Sequence, residues 1–144
     1  MTGVAVVTAR GPDGRLHGLT ANAITSLSLS PPLVLTCVER TSDTHGCILA
    51  ARCFALSMLR HDQERLARRF AAWEIGDKFE GVAFRGERTG APVLEEALAW
   101  LDCRLWHSYD GGDHTIFVGE ILAGDAQEGT PLIYYRSGFG RVTP

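Results

Sequence analysis

The stretch Gly18–Pro32, GLTANAITSLSLSPP, restricts the fold more than any other part of the chain. It opens on a glycine, alternates small polar with apolar residues, and closes on Pro31–Pro32. Ile24, Leu27 and Leu29 tie part of the run to a core. Ala21, Asn22, Ala23, Ser26 and Ser28 leave the backbone open to something flat and supply amide and hydroxyl groups for hydrogen bonding. An ordinary half-buried strand would carry more Val, Ile and aromatic residues. The pattern suits a Ser/Thr-rich edge strand followed by a loop, or the wall of a binding site.

The flanking chain reads as strands separated by Gly/Pro turns. Gly3–Ala9 has valines on both faces, as a strand buried on both sides requires. Gly11-Pro12-Asp13-Gly14 supplies a turn and Arg15–Leu19 returns, predicting a hairpin. Leu33–Glu39 and Phe54–Leu59 are further strands. Between them, Ser42, Asp43 or Thr44 caps a helix over His45–Ala51. Asp62–Ala72 is the clearest helix, with Asp62 as N-cap, an apolar stripe of Leu66, Ala67 and Phe70, and a solvated face of Arg65, Arg68 and Arg69.

Gly76–Gly81 reads as a loop, Gly81–Arg88 as an irregular strand and Pro92–Leu98 as a short helix with Pro92 in its first turn. Trp100–His107 alternates, with Leu101, Cys103 and Leu105 opposite Asp102 and Arg104. Asp110–Asp113 turns into a strand at His114–Leu122, and Pro131–Arg136 is the last strand, with a loop beyond Tyr135. Many strands and few helices point to an antiparallel barrel in one domain spanning residues 1–144. That length suffices to bury a core.

Composition excludes several classes. A net charge of −3 argues against a nucleic-acid or anionic membrane surface. No apolar run is long enough for a membrane span and no signal peptide precedes the first strand, so a cytoplasmic protein is expected. Cys37, Cys47, Cys53 and Cys103 show neither C-x-x-C nor zinc spacing, so no disulfide and no metal is expected; Cys37 and Cys103 read as buried thiols. G-x-S-x-G, H-E-x-x-H, P-loop and G-x-G-x-x-G motifs are absent, so neither a nucleophile elbow nor a Rossmann site is available.

GVAVVTA, the Gly18–Pro32 run and PPLVLTCVER, followed in order by FALSML, DKFEGV, GAPVLEEALAWLDC, GDHTIFVGEI and PLIYYRSGFG, resemble the short flavin reductases. The resemblance covers nearly the whole chain. It implies an antiparallel Greek-key split β-barrel (the FMN-binding split barrel) with a few flanking helices. It further implies an NAD(P)H:flavin oxidoreductase that reduces FMN or FAD with NADH or NADPH and supplies the reduced flavin to a partner monooxygenase. Relatives usually carry a short helix before the first strand, whereas this chain begins almost at it.

By the same resemblance, Thr20, Ala21, Asn22 and Ala23 line the flavin ring, Ser26 and Ser28 continue that wall, and Cys37 presents backbone to it. The Arg40–Thr44 run, with Arg40, Ser42 and Thr44, is assigned to the ribityl and phosphate end, where hydroxyls and free N–H groups at a helix start suit an anion. Lys78 and Phe79 border the site, with Lys78 as a cation for phosphate. His114, in Gly112-Asp113-His114, matches the family's nicotinamide motif and is the candidate catalytic residue; Tyr135 borders the same groove. Trp73, Trp100 and Trp106 are three indoles able to stack, and Trp100 and Trp106 are assigned to the interface of a homodimer. Alternatives are a non-catalytic flavin-binding or electron-carrier protein of the same fold, a split-barrel oxidase of a small amine, and a reductase for another cofactor.

Overall fold

The computed structural model describes residues 1–143. Twelve strands and two helices are arranged in the order β1 (Thr2–Gly3), β2 (Ala5–Arg10), β3 (Leu16–Ala21), β4 (Ile24–Leu29), β5 (Pro32–Glu39), α1 (Asp43–Ala51), β6 (Cys53–Met58), α2 (Glu64–Ala71), β7 (Phe84–Gly86), β8 (Pro92–Leu94), β9 (Ala99–Gly111), β10 (His114–Ala126), β11 (Leu132–Tyr135) and β12 (Gly138–Arg141) among the described residues. No helix among them is long and apolar enough to cross a membrane.

Seven strands form one sheet in the order β3-β2-β6-β9-β10-β5-β4, and every neighbouring pair is antiparallel. Its outermost strands, β3 and β4, are consecutive in sequence and joined only by Asn22 and Ala23. Laid flat at about 4.8 Å per strand, the outer pair would stand about 29 Å apart. The chain from Ala21 to Ile24 spans at most about 11 Å. The sheet is therefore rolled until its edges approach at this link, where the Cys37 N–H of β5 donates to the Ala23 carbonyl at 3.1 Å. β3 and β4 do not themselves pair.

Two main apolar clusters pack on opposite faces of β2, which explains its continuous burial. Val7 and Ala9 face a cluster with Val38, Ile48, Phe54, Leu56, Leu105 and Phe117, into which α1 inserts Cys47 and Ile48. Val4 and Val6 face a second cluster with Leu59, Ala67, Phe70, Phe79, Leu94 and Leu132, which seats α2 and β11.

Four local expectations need correction. Pro92–Leu94 is a strand paired with β7, not the start of a helix. All three side chains are buried; the Thr8 hydroxyl donates to the Pro92 carbonyl, and the Leu94 N–H donates to Ser57 Oγ at 3.0 Å. These contacts to two other strands outweigh the local helical pattern. Asp62 does not cap α2, because its carboxylate pairs with Arg60. The N-cap position falls to Gln63, whose buried amide accepts from the Arg60 N–H at 2.8 Å and donates to the Glu96 carbonyl at 3.0 Å.

Beyond a turn at Arg136–Ser137, Gly138–Arg141 form β12 and pair back on β11, so that stretch is not a loop. Trp100 is half-buried on Ala55, Ala91 and Val93 under the Arg85 guanidinium, because the β7–β8 ribbon covers that side of the sheet; of the two indoles assigned to an interface, Trp106 alone is exposed.

Where β9, β10 and β6 crowd, Gly119 leaves no room for a side chain: a Cβ there would lie 2.6 Å from Phe54 Cζ and 2.7 Å from Cys103 Cβ. Gly119→Ala is expected to destabilise the fold by about 1–3 kcal/mol, read as a lower urea midpoint with an unchanged slope.

Candidate functional site

Rolling the sheet brings the β3–β4 link, the end of β5, the start of β10 and the end of α2 around one groove. It encloses about 360 Å³ and is walled by Thr20, Ala21, Asn22, Ala23, Cys37, Glu39, Ser42, Trp73, Lys78 and His114, among others. A smaller cavity of about 210 Å³ adjoins it through Ser42, Trp73 and Lys78 and runs along Asp43 and Thr44 to Phe79. A third, of about 460 Å³, shares Thr20–Asn22 and continues past Ala71 to Arg68, Tyr134 and Phe139. The Thr20–Asn22 backbone is the wall common to the first and third.

Small side chains make that wall. Gly18, just before it, packs so closely on α2 that a Cβ would meet Phe70 Cε1 at 2.8 Å. The Thr20 hydroxyl is spent on the Ala67 carbonyl at 2.6 Å, anchoring β3 to α2. Asn22 and Ala23 are exposed.

At the other end of the groove, Ser42 caps α1. Its Oγ accepts from the His45 N–H at 3.2 Å and donates to the Glu39 carbonyl at 2.8 Å. The Asp43 and Thr44 amides, in the first turn, have no intrahelical acceptor.

His114 begins β10 and faces Glu39 of β5 in register. Its Nδ1 lies 2.8 Å from Asp113 Oδ1. An ionised carboxylate only accepts, so Nδ1 carries the proton and Nε2 of the neutral ring is left as an acceptor. The hydrogen bond from His114 holds the Asp113 carboxyl below its usual range. Arg40 fixes the turn beneath this pair: its N–H donates to the Asp113 carbonyl at 3.0 Å and its guanidinium pairs with Asp110.

The loop after α2 is held by two cations assigned other roles on sequence. Arg69 is not solvated, because its guanidinium donates to the carbonyls of Asp77, Lys78 and Glu80. The Lys78 ammonium donates to the carbonyls of Phe70 at 2.9 Å and Gly18 at 3.3 Å. Burial depresses its pKa. Lys78 therefore lines both adjoining cavities while serving the backbone.

Among the residues singled out on sequence, Thr20, Ala21, Asn22, Ala23, Cys37, Ser42, Lys78 and His114 meet at the groove, and Thr44 and Phe79 at its extension. Phe79 is 6% exposed, with its ring edge-on to Phe70 and Phe84. Ser26 and Ser28 lie farther along β4, outside these cavities. Arg40 lines a further cavity with Arg15, His17 and His45, which shares His17, Ser42 and Asp43 with that extension. Tyr135 is 60% exposed and points away; Tyr134 lines the third cavity instead. The alternation through buried Leu132 was the available signal, since Tyr134 shares its face.

Sequence reasoning missed Glu39, a polar strand end with no periodic signal; Thr41 lies within the Arg40–Thr44 run, and Trp73 was named only as an indole able to stack. All four cysteines are free thiols, and burial pushes Cys47 up to about 11 and Cys103 to about 12.

Behind the groove, His45 Nε2 meets Thr115 Oγ1 at 2.7 Å and its ring tilts on Phe117 at 5.3 Å. Burial, then nearby Arg40, lowers its pKa below 6.5. The unfolded chain therefore takes up a proton that folded His45 resists, and stability falls as pH drops through the ordinary histidine value. His45→Gln is expected to flatten the loss of stability between about pH 7 and about pH 5, measured by urea denaturation at both.

The profile of the family described as "Flavin reductase like domain" matches residues 1–143. The chain is 44% identical over 143 residues to the reductase component of 4-nitrophenol 4-monooxygenase/4-nitrocatechol 2-monooxygenase of Rhodococcus opacus, covering 99% of this chain and 76% of that one. It is 43% identical over 150 residues to an NADH-dependent FAD reductase of Streptomyces globisporus, covering 99% and 80%. The solved structure of an NADH:FAD oxidoreductase from Streptomyces globisporus, in complex with NAD and FAD fragments, superimposes with a TM-score of 0.93 at 41% identity, covering 99% of this chain and 86% of that one.

Proposed function

Because the chain belongs to the flavin reductase-like domain family, we infer that it is an NAD(P)H-dependent flavin reductase. It reduces FMN or FAD with NADH or NADPH and supplies the reduced flavin to a partner monooxygenase. The observation that carries this reading to particular residues is the groove where the small-residue wall Ala21–Ala23 stands across from His114.

The wall suits a flavin. Isoalloxazine presents an edge of alternating donors and acceptors, and an extended backbone with small side chains and the Asn22 amide can meet it. The Ser42 cap and the free amides of Asp43 and Thr44 suit the phosphate end. When both nucleotides are bound, hydride passes from nicotinamide C4 to flavin N5, so the protein needs neither nucleophile nor acid–base pair. Its residues bind and orient. His114, held by Asp113 with Nε2 as acceptor, contacts the nicotinamide nucleotide; Arg40 keeps the turn in place from behind. Cys37 lends its half-buried strand to the same wall.

The finer architecture is proposed with it. A rolled antiparallel sheet whose edge strands meet only through Asn22–Ala23 supports a split barrel, and both main clusters on β2 support one domain over residues 1–144. Free thiols suit a reducing compartment, which supports a cytoplasmic enzyme. Exposed Leu27, Leu29, Trp106 and Tyr109 support a homodimer. Gel filtration is expected to give twice the mass of one chain, and Trp106→Glu to shift it to the single-chain mass; wild-type protein eluting as one chain would remove the dimer.

The function is tested by following NADH oxidation in air with and without FMN or FAD. Flavin-dependent turnover is expected, and His114→Ala should lower kcat/KM for NADH about tenfold, the worth of one good contact, with flavin affinity unchanged. An equally active alanine variant would take His114 out of the nicotinamide site. Tight flavin binding without turnover would make the protein a carrier.

A further inference from the structure

Glu39 ends β5 directly opposite His114, the first residue of β10. Residues opposite one another in an antiparallel pair put their side chains on one face of the sheet, with Cβ atoms about 4.5–5.5 Å apart. Both residues line the groove. The register thus sets a carboxylate beside the imidazole assigned to the nicotinamide.

The main chain of Glu39 is fixed and its side chain is uncommitted. Its carbonyl accepts from the Ser42 N–H at 3.2 Å and from Ser42 Oγ at 2.8 Å. Its carboxylate has no ion-pair or hydrogen-bonding partner among the described residues. The neighbouring cations are spent, Arg40 on Asp110 and Lys78 on the carbonyls of Phe70 and Gly18. His114 does not neutralise it either, because Nδ1 is turned to Asp113. This end of the groove therefore holds an uncompensated negative charge and, in Nε2, one further acceptor.

Charge decides what such a carboxylate can serve. The flavin phosphate is an anion, and a carboxylate turned toward Ser42 and α1 would repel it. The nicotinamide, by contrast, becomes a cation. Hydride transfer breaks the C4–H bond and forms the N5–H bond, and the electron pair travels with the hydrogen. The dihydronicotinamide, neutral before the step, is left with one positive charge; the reduced flavin carries the matching negative charge until a proton from water neutralises it. A fixed negative charge beside the nicotinamide is worth more after the step than before it, which is the condition for lowering the barrier. We propose that the Glu39 carboxylate faces the nicotinamide ring and stabilises the positive charge that hydride transfer leaves there. The proposal rests on the flavin-reductase reading above.

Glu39→Gln removes the charge and keeps the shape, whereas Glu39→Asp keeps the charge on a shorter arm. NAD⁺ titrated by calorimetry into the enzyme loaded with oxidised FMN or FAD reads binding without turnover, since neither partner has a hydride to give. Glu39→Gln should weaken NAD⁺ binding about two- to fivefold, the range of an exposed charge pair, and the difference should shrink as salt is raised. KM for NADH should stay unchanged while kcat falls. Glu39→Asp should lie between wild type and Glu39→Gln. All three proteins should melt alike, because the carboxylate has no partner in the fold.

A glutamine variant that binds NAD⁺ as tightly as wild type, or that loses NAD⁺ and NADH in equal measure, overturns the proposal. So does one whose only change is a higher KM for flavin, which would put Glu39 on the ribityl chain. Wild-type protein with no flavin-dependent NADH oxidation would instead overturn the reductase reading, and this proposal with it.

Discussion

Two residues, Asn22 and Ala23, set the geometry on which everything else depends. They are the only covalent connection between the two outer strands of a seven-stranded sheet, and they are too short to cross it flat. The sheet must roll, and rolling carries β5, β10 and the end of α2 to the same place as β3. The link cannot pair as a strand on both sides: the Ala23 carbonyl accepts from Cys37 of β5, and the rest of the link borders the groove. One constraint thus closes the core and leaves open the wall that a flat ligand can use.

The roll also explains why this site is built on backbone more than on reactive side chains. Sequence alone assigns Thr20 and Lys78 to a ligand and Arg69 to solvent, yet each gives its polar group to a main-chain carbonyl. Buried or half-buried carbonyls that lie outside any ladder need donors. Around the groove such carbonyls belong to the end of α2, to β3 and to the loop at Asp77–Glu80. Cations beside a candidate phosphate site therefore brace its rim here, and the first turn of α1 is left as the more direct source of positive potential.

The long elements and the groove wall were legible in the sequence because their signals are local. The doubly buried valine run predicted β2, and alternation predicted β9. The small-residue run Ala21–Ala23 and the residues Cys37, Ser42, Lys78 and His114 do meet at one groove. What could not be read depends on distant partners. Pro92–Leu94 became a strand because Thr8 and Ser57 claim its backbone. Asp62 lost the cap to its pairing with Arg60, and Gln63 is fixed by Glu96, far along the chain. Tyr134 and Tyr135 differ only in parity; the parity was present in the sequence, whereas the face turned toward α2 is a property of the fold.

A reaction carried by two nucleotides asks the protein for relative placement, and the groove has walls that come from opposite directions. Ala21–Ala23 belongs to the sheet edge at β3, whereas His114 belongs to β10, four ladders away through β2, β6 and β9 but facing the same opening because the sheet is rolled. The two are therefore coupled through packing around the whole curl and directly through β5, which pairs with β10 along its length and meets Ala23 through Cys37. β5 is the short path between the two walls. A change that shifts β5 would alter the spacing of the two walls without touching a residue of either.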